Sequence, residues 1–207
     1  MSLKHSYTLL APFYDFFVSR PLDKARKKSI DRITNTTNKK ILINGIGSGL
    51  DIPYLPRDAE YTGSDITPAM LKIANHRAAK LSFNIDLICA DSQNLPFNNE
   101  QFDIVIMHLI LAVVPDSNLA LLEASRVLKP GGSLFIFDKF LKPDEFAPFR
   151  KIFNLFIRHI ATRTDVVFEH TLESSPSLKV ISNEPALANG WFRLIELKKT
   201  QYSTQDK

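Results

Sequence analysis

The sequence predicts an α/β fold built on a mostly parallel sheet with helices on both faces, and three observations carry that prediction. Short apolar runs alternate along the chain with segments of helical period. The first run, Lys40-Ile-Leu-Ile-Asn44, breaks at once into glycines at 45, 47 and 49, as a strand entering a tight turn does. Strands separated by helices imply right-handed crossovers, which bring the strands together in parallel.

The elements follow in order. Ala59-Glu-Tyr-Thr-Gly-Ser-Asp65 reads as the second strand, and Thr67-Pro68 then supplies a helix N-cap with proline at the first helical position, the helix running to about Lys80. Asn84 to Asp91, Phe102 to His108 and Ser133 to Phe137 read as the third, fourth and fifth strands. Between the last two, Asp116 or Ser117 caps a helix with Leu119, Leu122, Ala124, Val127 and Leu128 at helical spacing, closed by Lys129-Pro130-Gly131-Gly132. Leu178 to Ile181 and Phe192 to Leu197 are strand-like, and their connection, with Pro185 and Gly190, is too short for a helical crossover. An antiparallel pair at one edge is expected.

Composition sets the limits. The chain has 207 residues, room for one domain, with 44% hydrophobic and 23% charged residues, the balance of a soluble globular protein. A net charge of +4 names no partner by itself. Cys89 is the single cysteine, so an intramolecular disulfide and a thiolate zinc cluster are excluded, and the remaining histidines lack metal-ligand spacing. The longest nearly pure apolar run, Ile104 to Val114, is well short of the roughly 20 residues a membrane-spanning helix needs. No signal-peptide pattern is visible, so the expected location is cytoplasmic, with peripheral contact at the inner membrane surface as the only membrane role.

In sheets of this class, sites lie beyond the carboxyl ends of the strands. That rule selects residues 44–49, Asp65, Asp91, residues 108–111 and Asp138. The Gly45-Ile-Gly-Ser-Gly49 turn lets backbone approach a ligand. A dinucleotide fingerprint would need glycine at position 50, where Leu50 stands, and no Gly-Lys-Ser/Thr follows for a P-loop. Asp65 ends the next strand, where a carboxylate can accept both hydroxyls of a ribose, unless it serves as a cap before Thr67. Asp91 and the Ser92 amide stand where a ring amine would be read, or form a turn.

Together, Ile41-Leu-Ile-Asn-Gly-Ile-Gly-Ser-Gly49, Gly63-Ser-Asp-Ile-Thr-Pro-Ala-Met-Leu71, Ala90-Asp91 with Leu95-Pro-Phe97 and Phe102-Asp-Ile-Val105, and Arg126-Val-Leu-Lys-Pro-Gly-Gly132 resemble class I S-adenosylmethionine-dependent methyltransferases, nearest the branch acting on quinones and phospholipid head groups. The resemblance implies a Rossmann-like three-layer sandwich whose seven-stranded sheet has an antiparallel last strand. It further implies one methyltransferase domain over 1–207, with a helical cover at 1–37, a cofactor core at 38–138 and acceptor-side structure at 139–207. It implies that Gly45, Gly47 and Gly49 line the methionine end of S-adenosylmethionine, that Asp65 with Ile66 holds the ribose, and that Asp91 with Ser92 meets the adenine. Asn44 stands where the resemblance leads us to expect an acid, so weaker cofactor binding is expected, and a replacement by Asp is expected to tighten it.

Methyl transfer is an in-line displacement, so holding the acceptor and excluding water are the main tasks, with a base for acceptors that lose a proton. His108 is the candidate base or cofactor contact, beside an apolar wall from Leu109 to Val114; a histidine packed at the strand end is the alternative. The aromatic N-terminal stretch, Ala11 to Phe17, resembles the pocket cover of lipid and quinone methyltransferases, with Tyr14 as the residue to reach the site, or simply packs on the sheet. Arg20, Lys24, Arg26, Lys27, Lys28, Arg32, Lys39 and Lys40 form a basic stretch, read as a solvated helix face. Residues 145–163 carry Phe146, Phe149, Ile152, Phe153, Phe156, Ile157 and Ile160 at helical spacing with Arg150, Lys151, Arg158 and Arg163 on other faces, a helix that packs on the sheet or lies on an anionic bilayer. The acceptor expected is a small or lipid-like molecule, a phospholipid amine or a quinone precursor. Two other classes remain: a non-catalytic cofactor-binding protein, on the strength of Asn44, and an RNA methyltransferase, which lacks any appended RNA-binding module.

Overall fold

The computed structural model describes residues 22–141, 166–187 and 190–201. Tyr14 and the amphipathic stretch 145–163 lie outside them. Seven strands form one sheet in the order β3-β2-β1-β4-β5-β7-β6. These are β1 (Lys40–Asn44), β2 (Glu60–Asp65), β3 (Asp86–Cys89), β4 (Phe102–His108), β5 (Leu128–Lys139), β6 (Leu178–Leu187) and β7 (Phe192–Lys199). β1 to β5 pair in parallel, and β7 runs antiparallel to both β5 and β6, so the last strand is reversed as the resemblance implies. Helix α1 covers residues 22–30, and α2 (Pro68–Lys80), α3 (Ser117–Val127) and α4 (Phe168–Glu173) follow.

Strand alternation sorts the apolar residues into two layers. Ile41, Ile43, Ile104, Ile106 and Phe135 face one side, where Ile30 and Ile33 and the residues at and beyond the end of α2, Ala78 and Phe83, cover them. Leu42, Val105, Met107, Leu134 and Ile136 face the other, under α3 and α4. Both faces are buried, which is why these strands read as continuous apolar runs.

Three local expectations are corrected. On α3 the buried stripe is Ala120, Leu121, Ala124 and Val127, whereas Leu119 and Leu122 are each 46% exposed. Small residues on the inner face seat the helix close to the sheet and turn the leucines outward. Lys129 to Gly132 do not close that helix by leaving the sheet. Leu128 already pairs with Phe102, the register jumps to Ser133 opposite Ile104, and the extra residues loop out at Gly131, whose φ is +74°. Pro185 lies inside β6 rather than in a long connection, because β6 and β7 are longer than their apolar cores and leave only a short turn. The Asp116 cap is as expected, its carboxylate accepting from the Asn118 and Leu119 amides at 2.9 and 3.2 Å.

Arg126 ties α3 to the segment before β4. Its guanidinium donates to the carbonyls of Leu95 and Phe97 and is held by Glu123, which in turn accepts from the Leu95 amide. Arg126→Ala leaves those groups without their donor and is expected to lower stability by about 2 kcal/mol, read as a fall in the denaturant midpoint.

Candidate cofactor and acceptor cavity

β1 ends at Asn44, and the backbone turns through three left-handed residues, Gly45 (φ +79°), Gly47 (+55°) and Gly49 (+79°). An added Cβ at Gly45 would strike Ile110 at 2.7 Å, and at Gly49 would strike Ile52 at 2.7 Å, so glycine is required sterically as well as conformationally. At Gly47 an added Cβ meets nothing within 4 Å. There the loop faces open space, the cradle a ligand would fill.

The loop is held from three sides. The Ser64 carbonyl accepts from the Gly45 and Ile46 amides at 2.8 and 2.9 Å. Arg77 of α2 donates to the Ser48 carbonyl. Asp65, at the end of β2, accepts from the Gly47 amide at 2.9 Å and, through its other oxygen, from the Thr67 amide at 2.8 Å. Burial pushes the Asp65 carboxyl up from its ordinary value, while these amides pull it down. Asp65 thus caps the turn before α2 while lining the cavity.

The cavity is lined by Gly45, Gly47, Asp65, Ile66, Asp91, Ser92 and His108, and on its other side by Leu109, Ile110, Val113 and Val114. Gly49 and Asn44 do not line it. Leu109 has φ +57°, and its amide donates to the Phe137 carbonyl at 2.7 Å, so the chain leaves β4 with this side chain turned toward the cavity. Asp91 accepts from the Gln93 amide at 2.9 Å, a turn contact at the rim.

Asn44 is fully buried, and alternation places it on the Leu42 face, away from the side on which His108 lies. Its Oδ1 accepts from the Ser92 hydroxyl at 2.7 Å and from the Ser64 hydroxyl at 3.4 Å. In the fold this amide pins the chain after β3 to β1. His108 lines the cavity but both ring nitrogens are engaged, Nδ1 with Asp51 Oδ1 and Nε2 with Ser29 Oγ, each at 2.9 Å. The structure thereby brings in three residues that the sequence reading left out of the site. Arg26, taken there as part of a solvated face, is buried against Asp51 at 2.7 Å. Ser29, one helical turn on, and Asp51, two residues past the last glycine, carried no motif to mark them.

Several of the other basic residues described in that stretch are paired with acids. Lys27 pairs with Asp31, Lys28 and Arg32 with Glu184 of β6, and Lys39 with Asp103. Asp138, at the end of β5, is buried and accepts from the Lys139 and Ala112 amides.

Two outcomes follow from these contacts. Burial pushes the Asp138 carboxyl up to about 6, against the pull of its amide donors. Its folded value therefore lies above the unfolded one, so its stabilising contribution is full below about pH 4 and is lost as pH rises through 6. Denaturation of the wild type and Asp138→Asn at pH 4.5 and 7.5 is expected to show the stability difference moving by about 2 kcal/mol in favour of the variant at the higher pH. Asn44→Asp would bury a carboxylate at a position that does not line this cavity; we expect a loss of about 2 kcal/mol in stability and no tightening of S-adenosylmethionine binding by calorimetry.

Comparison with known proteins agrees with this architecture. Residues 42–136 match the family described as "Methyltransferase domain". The chain is 24% identical over 189 residues to a phosphatidylethanolamine N-methyltransferase of Cereibacter sphaeroides, covering 90% of this chain and 92% of that one. It is 32% identical over 163 residues to a demethylmenaquinone methyltransferase of Tropheryma whipplei (strain Twist), covering 78% of this chain and 60% of that one. The chain thus spans nearly all of the first relative and less than two thirds of the second. Among solved structures, the [4+2]-cyclase SpnF superposes with a TM-score of 0.79 at 16% identity over 96% of this chain and 95% of that one, a likeness of fold alone. The matched domain over residues 42–136, the strand order and the glycine turn opening on the cavity together support a class I S-adenosylmethionine-dependent methyltransferase.

Proposed function

We propose that this chain methylates a lipid-like acceptor, a phospholipid amine or a quinone precursor, and the observation that carries the reading is the apolar half of the cavity. Leu109, Ile110, Val113 and Val114 form an apolar wall of the cavity, with Ile110 packed close to Gly45 of the glycine loop. Leu109 also packs against the buried cluster of Ala25, Phe137 and Leu194, so the apolar surface extends from the cavity to α1 and β7. Such a wall suits an acceptor with a hydrocarbon or ring body, since its burial is favourable and excludes water. Relatives named for a phospholipid amine and for a quinone precursor support the same class.

The residues present fit S-adenosylmethionine: an open cradle at Gly47, a carboxylate at Asp65 with unused lone pairs, and the apolar rim residue Ile66. Gly45 and Gly47 would take its methionine end, Asp65 its ribose, and Asp91 with the Ser92 backbone its adenine. When bound, it supplies an electrophilic methyl group on a sulfonium, which the acceptor takes by in-line displacement. The chain's own part is placement: the loop, tied to Ser64, Asp65 and Arg77, keeps its shape, and the apolar wall sets the acceptor against it. With both nitrogens of His108 occupied, its imidazole serves as a rigid part of that wall rather than as the base.

The non-catalytic reading rested on Asn44, which does not line the cavity, and the RNA reading rested on a small positive balance to which Lys27, Lys28 and Arg32, all paired with acids, contribute. Incubation with S-adenosylmethionine and, in separate arms, phosphatidylethanolamine vesicles and a demethylated quinone precursor is expected to add one methyl mass unit to an acceptor in one arm. No mass increment in either arm, with the cofactor bound, would reject the lipid-like acceptor.

A further inference from the structure

Arg26, Ser29, Asp51 and His108 come from three elements, α1, the 3-10 turn at Ile52–Tyr54 with its cap, and β4, yet form one hydrogen-bonded group. They are 5%, 2%, 3% and 5% exposed. Arg26 and His108 line the cavity, while Asp51 and Ser29 stand behind them. A single oxygen, Asp51 Oδ1, meets both the Arg26 guanidinium at 2.7 Å and His108 Nδ1 at 2.9 Å.

The protonation of this group follows from its donors and acceptors. Burial alone would raise the Asp51 carboxyl, but His108 and Arg26 hold it below the usual carboxylate range, so it is ionised. A carboxylate only accepts, which places a proton on His108 Nδ1. A protonated ring would put a second cation beside Arg26 in a buried group where, among the described residues, both bond the same Asp51 oxygen, a costly arrangement. The neutral ring instead leaves Nε2 to accept from the Ser29 hydroxyl, and every member has a partner. Asp23 on α1 and Tyr54 on the 3-10 turn are the other titratable neighbours, and they pair with each other.

The cofactor is a sulfonium cation before transfer, and its product, S-adenosylhomocysteine, is a neutral thioether. A cationic wall would oppose the first and leave the second unaffected. We propose that Asp51 is a positioning residue that offsets the charge of Arg26 and fixes the neutral Nδ1–H form of His108, so that the cavity wall does not oppose the cationic cofactor relative to its neutral product. The inference rests on the cofactor and not on the identity of the acceptor.

The test is calorimetric affinity of the purified chain for S-adenosylmethionine and S-adenosylhomocysteine. Asp51→Asn raises the local charge by one unit, and the ratio of the cofactor Kd to the product Kd is expected to rise on the order of tenfold. Asp51→Asn combined with Arg26→Gln removes both charges and is expected to return the ratio to within about twofold of wild type. A purely structural defect would weaken both ligands together, so an unchanged ratio in Asp51→Asn, or no recovery in the double variant, overturns the proposal. Should Asp51→Asn not fold, nitrogen-15 NMR of wild-type His108 decides: an unprotonated Nε2 supports the proposal, and a protonated one overturns it. Failure of the wild type to bind either ligand would overturn the cofactor reading as well, which separates the two.

Discussion

The turn after β1 is the constraint on which the site depends. Three left-handed residues within five bring the chain off the sheet and send its amides toward the neighbouring strand instead of into a regular helix. The Ser64 carbonyl can take two of those amides only because Asn44 and Ser64 stand opposite each other in the parallel register of β1 and β2. The same register leaves Asp65 one residue farther on, where it reaches the Gly47 amide. Loop shape, carboxylate position and the start of α2 are therefore set by one local geometry.

Around that turn the molecule uses buried polar groups as fasteners. Asn44 draws Ser92 toward β1, and Asp51 gathers α1 and β4 through Arg26, His108 and Ser29. Apolar contacts between helix and sheet tolerate sliding, whereas a buried hydrogen bond is lost by a shift of an ångström and leaves its groups unsatisfied. The two fasteners stand on opposite faces of the sheet. The strand ends around the cavity are thereby held in register with a loop anchored by its buried Ile46 and Ser48.

Much of this was legible in the chain. β1 and β4 begin and end at the residues expected, because both are apolar runs bounded by sharp breaks, and the glycine spacing with Asp65 marked the cofactor side. What stayed hidden required knowledge of distance across the fold. Asp51 follows the glycines without a motif, and Arg26 sits among lysines whose exposure it does not share, so neither showed that they meet. The bond from Ser92 to Asn44 was hidden for a related reason, since strand alternation sends Asn44 to the Leu42 face, where it meets a residue 48 positions away. On α3, counting leucines favoured a stripe that the closer packing of alanines overrides.

The sheet also ends in a particular way on each side. β3 has four residues, and β6, the opposite border, carries Pro185 and two breaks of register against β7. A short border strand offers little backbone for pairing, and one with proline and bulges twists its free amides out of line. Val180 and Ile181 lie exposed on that border, where a flat, regular strand would invite another chain to extend the sheet. The irregularity of β6 thus acts against fibrous self-association, a safeguard for a protein whose neighbouring strands are among its most apolar segments.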